Sequence, residues 1–190
     1  MVNISIVGGG GLMGKLIGIE LAKNGHSISL YDTHTINPEP QFTNLSQSGL
    51  LTETDITKIR SNITYQPYGV IHPNELYRHS DIIIECIPDN LVSKQNLIDT
   101  ITHSCSEHTI IMTNAISLSV SDIACKAKNP SKIIGCRFLY PVVLMDKVEL
   151  TLGKHTSSDT VERTKGFLSE MGYNVVYKIS NQIPVVRLTH

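Results

Sequence analysis

Val7-Gly8-Gly9-Gly10-Gly11-Leu12-Met13-Gly14 is the stretch that decides the fold of this 190-residue chain. It follows an apolar run, Val2 to Val7, that predicts a buried strand, and it opens a helical pattern from Leu12 to Asn24. Gly9, Gly11 and Gly14 satisfy G-x-G-x-x-G, a pattern that gains weight from a strand before it and a helix after it. The first glycine permits the tight turn, the second lets phosphates approach the backbone, and the third lets helix and strand pack closely.

The predicted helix supplies the second part of a dinucleotide site. Its first turn, which includes Leu12 and Met13, presents free N–H groups and the positive end of the helix dipole to phosphates. A second predicted strand, Ser27 to Tyr31, ends at Asp32, 18 residues after Gly14. A carboxylate there accepts hydrogen bonds from ribose hydroxyls and repels a 2′-phosphate, so we predict NAD rather than NADP. The alternative is a glycine-rich turn that binds no ligand.

Strands and helices alternate along the rest of the chain. Further strands are predicted at Asp81–Ile87, Thr109–Thr113, Ile133–Phe138, Val148–Leu152 and Asn174–Ile179. Further helices are predicted at Thr52–Arg60, Leu91–Cys105, Val120–Ala127 and Ser158–Met171, with a helical turn at Glu75–Arg78. Residues 33–48 are polar and contain prolines, which predicts a loop. The pattern predicts an α/β fold, a doubly wound Rossmann domain with a largely parallel sheet in a single domain.

Composition excludes several classes of function. The formal net charge is −1 and no block of like charge occurs, which argues against a nucleic-acid binder. No apolar run approaches the roughly 18 residues that span a bilayer, and the N-terminus lacks the features of a secretory signal. The four cysteines show no metal-binding spacing, so we expect no metal site. We read them as reduced thiols, with Cys86 and Cys136 in the core, and expect a cytoplasmic protein.

Four segments together resemble one known family, the NAD-binding domain of L-3-hydroxyacyl-CoA dehydrogenases, which includes lambda-crystallin-like proteins. Their order and spacing match over most of the chain, and together they are far more specific than the glycine loop alone. The segments are Gly9–Gly14, Asp81-Ile82-Ile83-Ile84-Glu85-Cys86-Ile87-Pro88-Asp89-Asn90, Thr113-Asn114-Ala115-Ile116-Ser117-Leu118-Ser119, and Gly135-Cys136-Arg137-Phe138-Leu139-Tyr140-Pro141 leading to Val148-Glu149. The resemblance implies NAD-dependent oxidation of a 3-hydroxyacyl thioester.

The cofactor half of the family pattern is retained. Asp32 matches the acid that binds ribose, Asp89 stands where the family has a glutamate on the nicotinamide side, and Lys94 matches a lysine that contacts the cofactor. Each has a structural alternative. Asp89 can instead cap the helix that begins near Leu91, because acids are favoured at helix starts. Lys94 can instead be a solvated helix residue.

The chemical half of the pattern is altered. Arg137 stands where the family has its proton-abstracting histidine, Tyr140 replaces an asparagine, Ile116 replaces a serine, and Glu149 alone matches. A guanidinium stays protonated at any working pH and cannot act as a general base. Glu149 with Arg137 can therefore be a structural ion pair, which we favour over a catalytic role. If the protein is active, Glu149 and Tyr140 are the catalytic candidates, with Tyr140 the best remaining acid or base.

Two hypotheses about function follow. The first is an NAD(H)-binding relative of 3-hydroxyacyl-CoA dehydrogenase, an oxidoreductase whose substrate is a small hydroxyacyl compound. The second is an inactive Rossmann domain that acts as an NAD(H) sensor or binds a protein partner. We expect the dinucleotide domain to cover residues 1–180 and a tail, where the family's helical domain would begin, to cover 181–190. The chain can also be the Rossmann part of a larger polypeptide, and we expect no nucleic-acid or membrane partner.

Overall fold

The structure, a computed structural model, describes residues 1–67 and 77–178. Its strands are β1 (Asn3–Val7), β2 (Ser27–Asp32), β3 (Ile63–Pro67), β4 (Ile82–Glu85), β5 (Ile110–Thr113), β6 (Ile133–Phe138), β7 (Lys147–Thr151) and β8 (Asn174–Tyr177). They form one sheet in the order β3-β2-β1-β4-β5-β6-β7-β8. Neighbouring strands are parallel except β6 and β7, which are antiparallel. The predicted doubly wound, largely parallel sheet is therefore confirmed.

Helices cover both faces of the sheet. They are α1 (Leu12–Lys23), α2 (Glu39–Gln47), α3 (Glu53–Asn62), α4 (Leu91–Ser104), α5 (Val120–Ile123) and α6 (Ser158–Glu170). Apolar side chains of α1, α2, α3 and α6 form one core with one face of the sheet, and those of α4 and α5 form a second core on the other face. Burial of apolar surface on both faces explains why the central strands are nearly continuous runs of isoleucine.

The prediction of a loop over residues 33–48 is wrong, because α2 occupies Glu39–Gln47. Pro40 lies in the first turn of this helix, where a backbone N–H has no partner inside the helix and its loss costs little. Phe42 and Leu45, three residues apart, bury their side chains in the core. Tertiary packing of these two side chains therefore stabilises a helix that composition alone argued against.

Other elements differ from their predicted bounds. The helix predicted at Val120–Ala127 is α-helical only to Ile123 and continues as a 3-10 turn at Ala124–Lys126. Strand β3 had not been predicted; it adds to the edge of the sheet beside β2. Residues 75 and 76 of the predicted helical turn, and Ile179 of the last predicted strand, lie outside the described residues. In the described ranges, no helix is long and apolar enough to cross a membrane.

The strand order reverses between β1 and β4. From β1 the chain proceeds outward through β2 and β3, and it then returns to β4 and proceeds through β5 and β6 on the other side. Loops at the carboxyl ends of β1 and β4 therefore diverge and leave a crevice between them. The glycine loop, residues 8–11, follows β1 and lies at this crevice.

Candidate functional site

Close packing fixes the conformation of the glycine loop. Gly8 has φ +83°, and a Cβ there would lie 2.7 Å from the carbonyl carbon of Cys86. The N–H groups of Gly8 and Gly9 both donate to the carbonyl oxygen of Tyr31, each at 2.9 Å. A Cβ at Gly14 would lie 2.8 Å from the Cα of Gly9. The loop is therefore held against β2, the β4–α4 connection and the start of α1.

Gly11 is the exception in this loop. A Cβ at Gly11 would meet only the Gly8 oxygen, at 3.3 Å. Gly11 is the N-cap of α1, where no side chain accepts a hydrogen bond and no acidic residue occupies the first turn. The N–H groups of that turn are therefore available to an anionic ligand. The open side of Gly11 is where the G-x-G-x-x-G pattern requires room for a pyrophosphate.

A cavity of about 850 Å³ opens in front of the loop. Its size lies within the usual range of small-molecule and cofactor sites. Its walls come from the glycine loop, the start of α1, the end of β2 and the β4–α4 connection, and include Leu12, Met13, Asp32, Cys86 and Ile87. Burial raises the pKa of the Cys86 thiol, with the carboxylate of Glu85 acting in the same direction, so this thiol stays uncharged.

Asp32 occupies the end of β2 at the rim of the cavity. Its Oδ2 accepts from the backbone N–H of Gly10 at 2.9 Å, and its Oδ1 accepts from the N–H of His34 at 3.1 Å. A carboxylate has further lone pairs, so Asp32 can still accept hydrogen bonds from ribose hydroxyls. Together the open glycine, the free helix N-terminus and this carboxylate fit a dinucleotide.

The family assignment follows from the match of the chain to the model of the 3-hydroxyacyl-CoA dehydrogenase NAD-binding domain, over residues 3–181. The chain belongs to this family. NAD is its cofactor, as the glycine loop and Asp32 predicted, and the predicted likeness to 3-hydroxyacyl-CoA dehydrogenases is confirmed. The division at residue 180 stays a prediction, because residues 179–190 lie outside the described part of the chain.

One curated relative is a probable 3-hydroxybutyryl-CoA dehydrogenase of Bacillus subtilis (strain 168), 30% identical over 181 residues. The match covers 90% of this chain and 60% of the relative. The chain therefore spans about 60% of the length of that protein.

Two solved structures share this fold. The dehydrogenase part of multifunctional enzyme 1 from C. elegans matches with a TM-score of 0.84 and 23% identity, over 93% of this chain and 40% of that one. The (S)-3-hydroxybutyryl-CoA dehydrogenase of Ralstonia eutropha matches with a TM-score of 0.82 and 24% identity, over 93% of this chain and 63% of that one. At these identities the likeness establishes the fold.

Lys94, which the family resemblance predicts to contact the cofactor, is completely buried in α4. Its ammonium donates to both carboxylate oxygens of Glu85, at 2.6 and 2.8 Å, and to the carbonyl oxygen of Ile87 at 2.9 Å. Thr113 donates its hydroxyl to Glu85 at 2.7 Å. The alternative that Lys94 is a solvated helix residue is therefore wrong. Its contact with the cofactor stays a prediction. The three N–H groups of the ammonium are already donated to protein acceptors.

Asp89 does not cap α4, because Asn90 is the N-cap and accepts from the N–H of Ser93 at 2.9 Å. One oxygen of Asp89 instead accepts from the backbone N–H groups of Ile116 and Ser117, at 3.0 and 3.1 Å. Burial acts to raise the pKa of Asp89, but these N–H groups and the charge of Lys94 outweigh it, and the pKa lies below its usual value. Asp89 thus ties the β4–α4 connection to the β5–α5 loop, and its contact with nicotinamide stays a prediction.

Arg137 and Glu149 face each other across the antiparallel pair of β6 and β7. Arg137 Nη1 donates to Glu149 Oε2 at 3.1 Å, and the two side chains are 22% and 10% exposed. This is the ion pair that the sequence favoured. Tyr140 and Ile116 lie at the same end of the sheet with 63% and 54% of their surfaces exposed. Their catalytic or binding roles stay predictions.

Sequence reasoning missed Glu85 as a member of the site. The available signal was a glutamate at the end of a continuous isoleucine strand, followed by a lysine nine residues later. A charge at the end of a buried strand requires a partner. Identification of that partner requires the path of the β4–α4 connection, which brings Lys94 back over Glu85.

Proposed function

We propose that this chain is an NAD(H)-binding member of the family that has lost the family's proton-transfer chemistry. The observation that carries the proposal is the pairing of Arg137 with Glu149 at 3.1 Å, at the positions of the family's base and its supporting acid. A protonated guanidinium cannot take the proton of a substrate hydroxyl. The carboxylate of Glu149 in turn accepts a hydrogen bond from that guanidinium and has no imidazole to orient.

The residues that match the family's cofactor site bind and orient NAD. The first turn of α1 holds the pyrophosphate through its N–H groups, and Asp32 accepts the ribose hydroxyls. Leu12 and Met13 provide apolar contact in the cavity wall. NAD, when bound, supplies a hydride acceptor. At the position of the family's base, the chain has Arg137, which cannot accept a proton. The role that fits is retention of NAD(H), as a sensor or as part of an assembly.

NADH fluorescence titration and a turnover assay test the two halves of this proposal separately. We expect saturable NADH binding that Asp32→Ala weakens. With (S)-3-hydroxybutyryl-CoA and NAD, we expect NADH formation at least about 100-fold slower than in a family member that has the histidine, the typical effect of a missing general base.

Restoration variants provide the control. Arg137→His combined with Ile116→Ser and Tyr140→Asn returns the family's residues to their positions. Recovered turnover in this variant, with NADH affinity unchanged, supports lost chemistry on an intact scaffold. Absence of NADH binding at millimolar concentration contradicts the first half of the proposal, and efficient turnover by the unmodified protein contradicts the second.

The cysteines favour a reducing compartment, and we propose the cytoplasm. All four are free thiols, and Cys136 is fully buried. Burial raises the pKa of the Cys136 thiol, which keeps it protonated and unreactive.

A further inference from the structure

The guanidinium of Arg137 retains most of its hydrogen-bonding capacity. Its one hydrogen bond to a described residue uses Nη1 and a single oxygen of Glu149. The other N–H groups have no acceptor among the described residues, and the side chain is partly open to solvent. A guanidinium binds carboxylates through two parallel N–H bonds. Glu149 therefore orients the guanidinium while one edge stays free for a ligand.

Two further side chains direct donor groups to the same end of the sheet, although Lys178 follows β8, which runs antiparallel to β6. Asn114 follows β5, and its side-chain oxygen accepts from the N–H of Phe138 at 2.9 Å, which leaves its amide N–H groups for another acceptor. Lys178, which follows β8, donates its ammonium to the carbonyl oxygen of Ile116 at 2.9 Å. Strand register places Arg137, Glu149 and Val176 on one face, and Lys178 lies two residues beyond Val176 on that face.

The charge at this position suits a monoanion. Arg137 and Lys178 carry two positive charges against the single negative charge of Glu149. The nearby carboxylates of Glu85 and Asp89 form a separate group with Lys94 that carries one net negative charge, and this charge is held by Lys94 and by backbone N–H groups that donate to both carboxylates. Replacement of the family's serine by Ile116 leaves an apolar, half-exposed side chain beside these donors.

Arg137 and Asn114 lie close to the cofactor crevice. Strands β4, β5 and β6 are consecutive in the sheet, and Asn114 donates its backbone N–H to the Glu85 carbonyl oxygen at 2.9 Å. Two strand spacings separate β6 from β4, a distance of about 10 Å. The connection that follows β4 forms a wall of the cavity. A small acid whose carboxylate lies on Arg137 can therefore extend toward the crevice.

We propose that Arg137, oriented by Glu149, binds the carboxylate of a small hydroxy or oxo acid, with Asn114 and Lys178 as additional donors. The inference rests on the proposed function, since it treats the position of the family's base as a binding position. The proposed ligand carries a free carboxylate, whereas the substrate that the family resemblance implies is a neutral acyl thioester.

Calorimetric titration of acetoacetate into the NADH-saturated protein tests the proposal. The neutral isostere acetoacetamide and inorganic phosphate serve as comparison ligands. We expect acetoacetate to bind, acetoacetamide to bind at least about tenfold more weakly, and Arg137→Gln to weaken acetoacetate by a similar factor, because a charge-assisted pair of hydrogen bonds is lost. Arg137→Lys should recover only part of the affinity, because an ammonium cannot form the planar pair.

Arg163→Gln is the matched control, because Arg163 lies on α6 with an exposed side chain that contacts Asp159 and the His108 carbonyl oxygen. It should leave acetoacetate affinity unchanged. Any one of four results would overturn the inference. Acetoacetamide or phosphate could bind as tightly as acetoacetate, Arg137→Gln could leave the affinity for acetoacetate unchanged, or acetoacetate could fail to bind. NADH affinity is measured on every variant and separates the two proposals. Absence of NADH binding to the unmodified protein contradicts the proposed function. NADH binding without acetoacetate binding contradicts only the carboxylate site.

Discussion

Single residues at the crevice are constrained to different degrees. A Cβ at Gly14 would collide with the carbonyl oxygen of Gly8, and a Cβ at Gly8 would collide with the backbone of the β4–α4 connection. Gly11 is crowded least by the protein itself. Glycines at positions 8 and 14 are thus required by packing, whereas the absence of a side chain at Gly11 is explained by the space that the pyrophosphate needs.

Asp89→Asn should reduce the acid sensitivity of the fold. The pKa of Asp89 is lowered in the folded state, so its contribution to stability is present above the unfolded-state pKa of about 3.9 and is lost as pH falls through the folded-state value. We expect a loss of about 1.5 kcal/mol at pH 7, the size of a hydrogen bond to a charged group, and a smaller difference at pH 2.5. Urea denaturation at the two pH values measures both. Asp99→Asn on the exposed side of α4 is the control, and an equal loss at both pH values would contradict the expectation.

At the scale of elements, the β4–α4 unit is organised by a buried ion pair. Glu85 ends β4, Lys94 lies one turn into α4, and the hydroxyl of Thr113 connects them to β5. Both charged side chains are almost fully buried. Such a pair positions the connection that forms the cavity wall, and each charge depends on the other because an unpaired buried charge is costly.

Lys94→Met should destabilise the protein by about 3–5 kcal/mol, because it leaves the Glu85 carboxylate buried without its partner. Combination with Glu85→Leu should recover much of that loss. Guanidinium denaturation of the two single variants and the double variant measures the coupling. Lys126→Met, which removes an exposed lysine that bonds Asn96, is the control for loss of a surface charge. Additive losses in the double variant would argue against an energetically coupled pair.

At the scale of the whole molecule, stability is concentrated in the middle of the sheet. Strands β4 and β5 are buried along their full length, whereas most residues of β8 are exposed. Strand β3 lies at the opposite edge beside β2. The crevice at the switch between β1 and β4 is therefore built on the most buried strands.

Amide hydrogen exchange should reflect this arrangement. We expect the amides of β4 and β5 to exchange only through global unfolding and those of β8 to exchange at least about tenfold faster, because an exposed edge opens locally. Mass spectrometry of exchange time courses, resolved by peptide, measures the difference. Uniform protection across β4, β5 and β8 would contradict it.

Local pattern identified most elements of the fold, and long-range packing decided the exceptions. The isoleucine runs and helical periods predicted the central strands and α1. The helix predicted from Thr52 agrees with α3, where Thr52 and Asp55 form both halves of a capping box. Helix α2 was missed because Pro38 and Pro40 argue for a loop until Phe42 and Leu45 are placed against the core. Strand β3 was missed because a short edge strand carries little apolar pattern.

The sequence by itself determined the cofactor class, because the glycine loop and Asp32 act through backbone conformation and residue type within one βαβ unit. It also predicted that Arg137 could not be a base, since that follows from the guanidinium alone. The family resemblance also suggested the pairing of Arg137 with Glu149, which the register of β6 and β7 forms. Only the tertiary structure decided what Lys94 and Asp89 contact. Their partners come from other segments, through the β4–α4 connection and the β5–α5 loop, and no local pattern specifies those pairings.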